Sequence, residues 1–176
     1  MVYVLMVDGF EEIEALTPVD VLRRCGAWVC TVGVNSKSVV GAHNIVVQCD
    51  IMFDELDTDA MKMLVLPGGP GHTALKTDKV HELLAYAQDK GAYIGAICAA
   101  PAVLGAIGLL KGRKATCFPG FEHELEGCTL VDAKVVQDGA FITAKGAGAA
   151  GDFAFALAQL MCGEQKAREI KDAMQY

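Results

Sequence analysis

Ala92-Tyr93-Ile94-Gly95-Ala96-Ile97-Cys98-Ala99-Ala100-Pro101 lies within twenty uncharged residues, Gly91 to Leu110, bounded by Lys90 and Lys111. Twenty such residues are enough to cross a bilayer as a helix. The run nevertheless contains four glycines and Pro101, and its character changes at Cys98. Ala92 to Ile97 reads as a buried strand. Ala99 to Ile107, rich in Ala and Leu, reads as a helix, with Pro101 in the first turn where a missing N–H costs nothing. The stretch is therefore two consecutive buried elements joined by a sharp turn at Cys98, and a soluble protein is expected.

The same unit recurs along the chain. Val2 to Val7 is a continuous apolar run, as expected of a parallel strand covered on both faces. Asp8-Gly9 turns it into a helix over Glu11 to Arg24, acidic at its start and basic at its end, which Gly26 terminates. Trp28 to Val34 predicts the next strand, and Ser38 to Val40 with Asn44 to Gln48 a hairpin. Met63 to Leu66 is a further buried strand, followed by Pro67-Gly68-Gly69-Pro70-Gly71 and a helix near Lys79 to Lys90. Lys114 to Cys117 predicts a short strand. Leu130 to Val136 and Phe141 to Ala144 flank Asp138-Gly139, a two-residue hairpin signal. Helices over Ala149 to Met161 and Glu164 to Met174 close the chain. Strands alternating with helices predict one α/β domain over residues 1–176, a three-layer sandwich with a mostly parallel sheet. In such sheets ligands sit beyond the carboxyl ends of the strands. Chemistry is thus expected after Val7, Leu66, Ile97 or Ala144.

Composition narrows the functional classes. Hydrophobic residues are 53% of the 176 and charged residues 21%, which excludes a disordered chain. The net charge of −7, without a basic run, argues against a nucleic-acid partner. Met1 to Val7 has no basic flank or cleavage site and runs into acids, so it is not read as a signal peptide, and a cytoplasmic location is expected. The seven cysteines follow no disulfide or zinc spacing. Cys117, His123 and Cys128 offer only three ligands, so no metal is expected, and most cysteines are read as small buried hydrophobes.

Cys98 is the exception. A strand-to-helix turn lifts its side chain above the sheet edge, as in a nucleophile elbow, and the N–H groups of the following helix are expected to favour thiolate. Glu14 falls one turn into the first helix, between Ile13 and Ala15, and can face the same edge. A carboxyl buried beside sulfur has its pKa raised and can donate a hydrogen bond. Glu11 and Glu12 read as solvated first-turn acids. The glycines after Leu66 let backbone N–H groups approach a ligand, as an oxyanion site requires. Gly146-Ala147-Gly148-Ala149-Ala150-Gly151 satisfies a dinucleotide fingerprint, but only terminal helices follow it, so no nucleotide cofactor is expected.

Asp8-Gly9-Phe10-Glu11-Glu12-Ile13-Glu14, Pro18 to Arg24, Val65 to Gly69, Ala96 to Pro101 and Thr143 to Gly148, in this order, resemble the ThiJ/PfpI superfamily, in particular its parkinsonism-associated deglycase branch and bacterial relatives. The resemblance covers nearly the whole chain. It implies a flavodoxin-like sandwich, usually a homodimer, with Cys98 as an oxidation-prone nucleophile and Glu14 as its protonated partner. Gly68, Gly69 and Ala99 would line an anion pocket through their N–H groups. Where peptidase-like branches carry a histidine after the cysteine this chain has Ala99, which argues against peptidase activity. Where the animal branch has a histidine before a proline it has Phe118, before Pro119; His123 lies close by but out of register, and His72 and His43 are further candidates with no motif behind them. The implied activity is cofactor-free chemistry on reactive carbonyls, small aldehydes or glycated substrates, of glyoxalase or deglycase type. The alternative is a redox sensor or stress-response protein that uses the same cysteine without turnover.

Overall fold

A computed structural model describes residues 1–176. The order of elements is β1 (Val2–Met6), α1 (Glu12–Arg24), β2 (Val29–Gly33), β3 (Ser38–Val40), β4 (Val46–Gln48), β5 (Ile51–Met52), β6 (Met63–Leu66), α2 (Asp78–Asp89), β7 (Tyr93–Ile97), α3 (Pro101–Ala106), β8 (Lys114–Ala115), β9 (Thr129–Leu130), β10 (Val135–Asp138), β11 (Phe141–Ala144), α4 (Ala150–Cys162) and α5 (Glu164–Ala173). Seven strands form one sheet in the order β10-β11-β7-β6-β1-β2-β5, parallel except for the edge strand β10. This is the flavodoxin-like sandwich. None of its helices is long and apolar enough to cross a membrane.

The continuous apolar strands are explained by burial on both faces. Val2, Val4 and Met6 point into the layer of α1 and α4, while Tyr3, Leu5 and Val7 point into the opposite layer with residues of α2. Each buried Val or Leu contributes about 1.5–3 kcal/mol relative to exposure, so both layers are needed to hold such strands in register.

Several boundaries differ from the sequence expectation. α1 begins at Glu12, and Glu11 is its N-cap, accepting from the Glu14 N–H at 2.8 Å. The segment after Ile97 does not become helical at Ala99; Cys98 to Ala100 form a turn and α3 spans only Pro101–Ala106. The strand expected over Leu130 to Val136 is split, because Thr129–Leu130 pairs with β8 while β10 starts at Val135. Asp138 pairs with Phe141, so the two-residue turn is Gly139-Ala140 rather than Asp138-Gly139. Gly139 supplies the positive φ, +60°.

From β1 the chain moves outward to β2 and β5, then crosses back to place β6, β7 and β11 on the other side of β1. The switch point lies between β1 and β6. It is at such a switch point, beyond the carboxyl ends of the strands, that ligands of open α/β sheets bind.

Candidate active site

Four parallel neighbours, β11, β7, β6 and β1, deliver the site. Cys98 follows β7, Gly68 and Gly69 follow β6, α1 after β1 carries Glu14, and Gly146 follows β11. The loops after β1 and β6 are stitched by backbone: Glu11 N–H donates to the Gly68 carbonyl at 3.0 Å and Gly71 N–H to the Gly9 carbonyl at 2.9 Å.

Cys98 has φ +64°, a left-handed conformation that a residue with a side chain adopts at a cost of about 1–2 kcal/mol. Two backbone bonds hold it there. Its N–H donates to the Ala144 carbonyl, and the Phe118 N–H donates to its carbonyl, both at 2.8 Å. Neighbouring segments on either side of the turn thus supply the restraint, and the elbow does not depend on a long helix behind it. The side chain is half-buried.

Glu14 is 1% exposed. Its Oε2 accepts the Gly68 N–H at 2.9 Å, while Oε1 is buried without a hydrogen-bond partner. A Cβ placed on Gly68 would fall 2.7 Å from Glu14 Oε2 and 2.7 Å from Cys98 Cβ. The Glu14 carboxyl and the Cys98 side chain therefore meet across a residue that has no side chain. Near Gly146 the pocket is walled by the half-exposed Phe118 ring, 3.2 Å from where a Cβ would sit, with Glu14 Oε1 at 3.8 Å from that same point.

Burial pushes the Glu14 carboxyl up to about 7, opposed by its hydrogen bonds with Cys98 and Gly68. Burial, and then the negative charge of Glu14 and its hydrogen bond, push the Cys98 thiol up to about 12. This departs from the expected lowering. A six-residue α3 gives little dipole, and partial burial of the sulfur penalises its charged form. The neighbouring N–H groups of Gly69 and Ala99 favour the thiolate and act the other way. When Glu14 carries the proton, its charge no longer opposes the thiolate, and these two donors remain. The pair shares its protons: below about pH 7 it holds two, and above that it holds one, on sulfur or on carboxyl.

Of the three N–H groups expected in an anion pocket, those of Gly69 and Ala99 favour a charge on the sulfur, whereas that of Gly68 is taken by Glu14. Gly68 serves by its missing side chain and by holding the acid. Glu12 is likewise not solvated. It is 6% exposed and accepts both from the His43 N–H, at 2.7 Å, and at its other oxygen from His43 Nδ1, at 2.8 Å. Glu11, Glu12 and His43 are the one set of potential metal ligands that converges, within 4.8 Å; Cys117, His123 and Cys128 do not form such a set. His72 is buried, with Nδ1 3.0 Å from the Gly69 carbonyl and its ring edge-on to Phe121. No imidazole hydrogen-bonds Cys98 or Glu14. A groove of about 360 Å³ opens beside Phe118, lined by Thr116, Cys117, Pro119, Glu122 and Lys145 among others. Sequence reasoning did not find the restraint on Cys98 by Phe118, because a backbone hydrogen bond leaves no residue signature.

The raised Glu14 pKa has a consequence for stability. The folded state binds that proton more tightly than the unfolded chain, whose carboxyl titrates near 4.5. This contribution is fully present below pH 4.5 and is lost as pH rises through about 7, a total of about 3 kcal/mol. Glu14→Gln cannot titrate yet can still accept from Gly68 and donate to sulfur. Urea unfolding of both proteins at pH 4.5 and pH 8 should show the Gln variant gaining about 3 kcal/mol on the parent between the two. A difference that does not change with pH would mean that Glu14 is ionised throughout.

Residues 1–160 match the DJ-1/PfpI family. The chain is 34% identical over 172 residues to Drosophila melanogaster protein dj-1beta, covering 95% of this chain and 92% of that one. It is also 34% identical to Arabidopsis thaliana protein DJ-1 homolog B, but spans only 40% of that longer protein. A Pyrococcus abyssi protein named deglycase is 31% identical over 147 residues, 82% of this chain and 89% of its own. Among solved structures, Drosophila DJ-1beta superposes with a TM-score of 0.95 at 33% identity, covering 99% of this chain and 96% of that one. A cysteine-to-alanine mutant of a DJ-1 superfamily protein from Salmonella typhimurium gives 0.93 at 36% identity, with 99% and 97% covered. The family model over residues 1–160 and the relatives in sequence and fold agree: the chain belongs to the DJ-1/PfpI family.

Proposed function

We propose that the chain is a cysteine-dependent enzyme acting on small reactive carbonyls, of glyoxalase or deglycase type, and that its own groups suffice for the chemistry. The observation that carries this reading is a buried carboxyl with one unpartnered oxygen beside a strained, half-buried cysteine, with no other acid or base bonded to either. In the state in which the pair holds one proton, transfer from sulfur to Glu14 gives a thiolate and a neutral acid. The thiolate adds to the aldehyde carbon of an α-oxoaldehyde, and Glu14 returns its proton to the resulting oxyanion, giving a hemithioacetal. Glu14, again a carboxylate, removes the proton from the former aldehyde carbon and delivers it to the adjacent carbon by way of an enediol. Water then releases a hydroxy acid and restores the thiol. For a glycated amine or thiol, the same addition precedes release of the repaired group. DJ-1-family relatives that bear the name deglycase support this direction.

The test is turnover. Purified protein given excess methylglyoxal should form many equivalents of lactate per chain. Activity should fall to background as one equivalent of iodoacetamide, mapped to Cys98, is incorporated. Turnover that survives complete alkylation of Cys98 overturns the reading. A second reading has its own observation: the Gly69 and Ala99 N–H groups beside the sulfur, with a neutral Glu14, are suited to hold the oxygens of a Cys98 sulfinate. Selective gain of two oxygens at Cys98 under mild peroxide, without lactate formation, would favour that sensor role.

A further inference from the structure

Away from the Cys98 pocket, two other cysteines meet. Cys25 caps the C-terminus of α1, its N–H bonded to the Val21 and Arg23 carbonyls, and Cys162 is the last residue of α4. Both helices follow parallel strands and pack on the same face of the sheet, so they run side by side and end together. The two thiols are neighbours there, each within reach of the other's charge, Cys25 buried in the core and Cys162 half-buried against the same cluster. The Lys166 ammonium lies near both sulfurs and favours their ionised form.

The turn that follows each cysteine is open. Each cysteine precedes a helix-ending glycine, Gly26 at φ +84° and Gly163 at φ +86°. Nothing lies within 4 Å of a Cβ on either glycine. Closing the neighbouring thiols into a disulfide draws the sulfurs to about 2 Å, a movement taken up by side-chain rotation and small shifts at the two helix ends.

We infer that Cys25 and Cys162 form a dithiol that closes into an α1–α4 disulfide on reaction with a low-molecular-weight disulfide. The step balances in two exchanges. Cys162, exposed enough to be approached, attacks as thiolate and forms a mixed disulfide, expelling one small thiolate. Cys25 gives up its proton, attacks the Cys162 sulfur and expels the second. The protein loses two electrons and two protons, and the reagent is reduced to two thiols. The staple joins α1, which carries Glu14, to α4, which follows the Gly146 turn, and leaves Cys98 untouched. Burial raises both thiols, Cys25 to about 11, so the exchange is slow and equilibrium sets the outcome.

The test uses the full chain in glutathione buffers of increasing oxidised fraction, quenched with iodoacetamide, digested and mapped by mass spectrometry. A Cys25–Cys162 linked peptide, two hydrogens lighter than its parts, is expected, with Tm raised by about 5–10 °C and restored by dithiothreitol. Cys25→Ser and Cys162→Ser should each abolish the link and the shift. Cys162→Ala, at the half-buried position, should keep the parent Tm under reducing conditions, which separates loss of the link from loss of the fold. Separate glutathionylation of the two cysteines overturns the inference. So does the absence of a Cys25–Cys162 linked peptide in the most oxidising buffer.

Discussion

Cys98→Ala is expected to lower methylglyoxal turnover by at least about 10³-fold while leaving the protein folded, since removal of a covalent nucleophile costs this much or more. The fold survives because what holds position 98 is backbone: the bonds to Ala144 and from Phe118 do not involve the thiol. Cys98→Gly makes a sharper comparison. Both variants lack the sulfur, so both should be inactive. Only glycine adopts φ +64° without strain, so it should be about 1 kcal/mol more stable than the alanine variant in urea. That order would identify strain held at the reacting residue. If alanine proved the more stable, the turn would be relaxed, and the elbow would owe nothing to its conformation.

Gly68→Ala should be the most damaging change that leaves every chemical group in place. The added methyl would lie 2.7 Å from Cys98 Cβ, 2.7 Å from Glu14 Oε2 and 2.9 Å from the Ile97 carbonyl oxygen. The last is backbone of a central strand and cannot retreat, so the loop or the Glu14 carboxyl must shift. Overpacking of this kind costs about 1–3 kcal/mol, which for a chain this size lowers Tm by about 3–10 °C. Displacing the acid from the sulfur by even ~1 Å should cost about 10²-fold in turnover. Gly148→Ala is the control: it lies in the turn after β11, and nothing lies within 4 Å of its Cβ position. It should match the parent in both assays. Equal tolerance at both glycines would show that Cys98 and Glu14 are not packed across Gly68.

What was legible in the sequence was whatever rests on side-chain type and period. The apolar runs of β1, β6 and β7 could only be strands covered on both faces, because no other arrangement hides every side chain. The elbow at Cys98 was visible as a change from strand-like to helix-like composition. Glu14 stood out against Glu11 and Glu12 by its apolar neighbours. Glu12 was misjudged, because its partner His43 is 31 residues away, in the turn between β3 and β4.

The amino-acid order by itself determined a parallel α/β sheet, its two apolar layers, and the choice of one cysteine and one acid, since these follow from the spacing and polarity of neighbours along the chain. Tertiary structure alone decided the rest. The crossover to the far side of β1 set Glu14 against Gly68. The Glu14 carboxyl took the Gly68 N–H and left those of Gly69 and Ala99 beside the sulfur. Depth below solvent reversed the expected direction of the Cys98 pKa, because desolvation is summed over everything that surrounds a charge, and most of what surrounds Cys98 comes from distant parts of the chain.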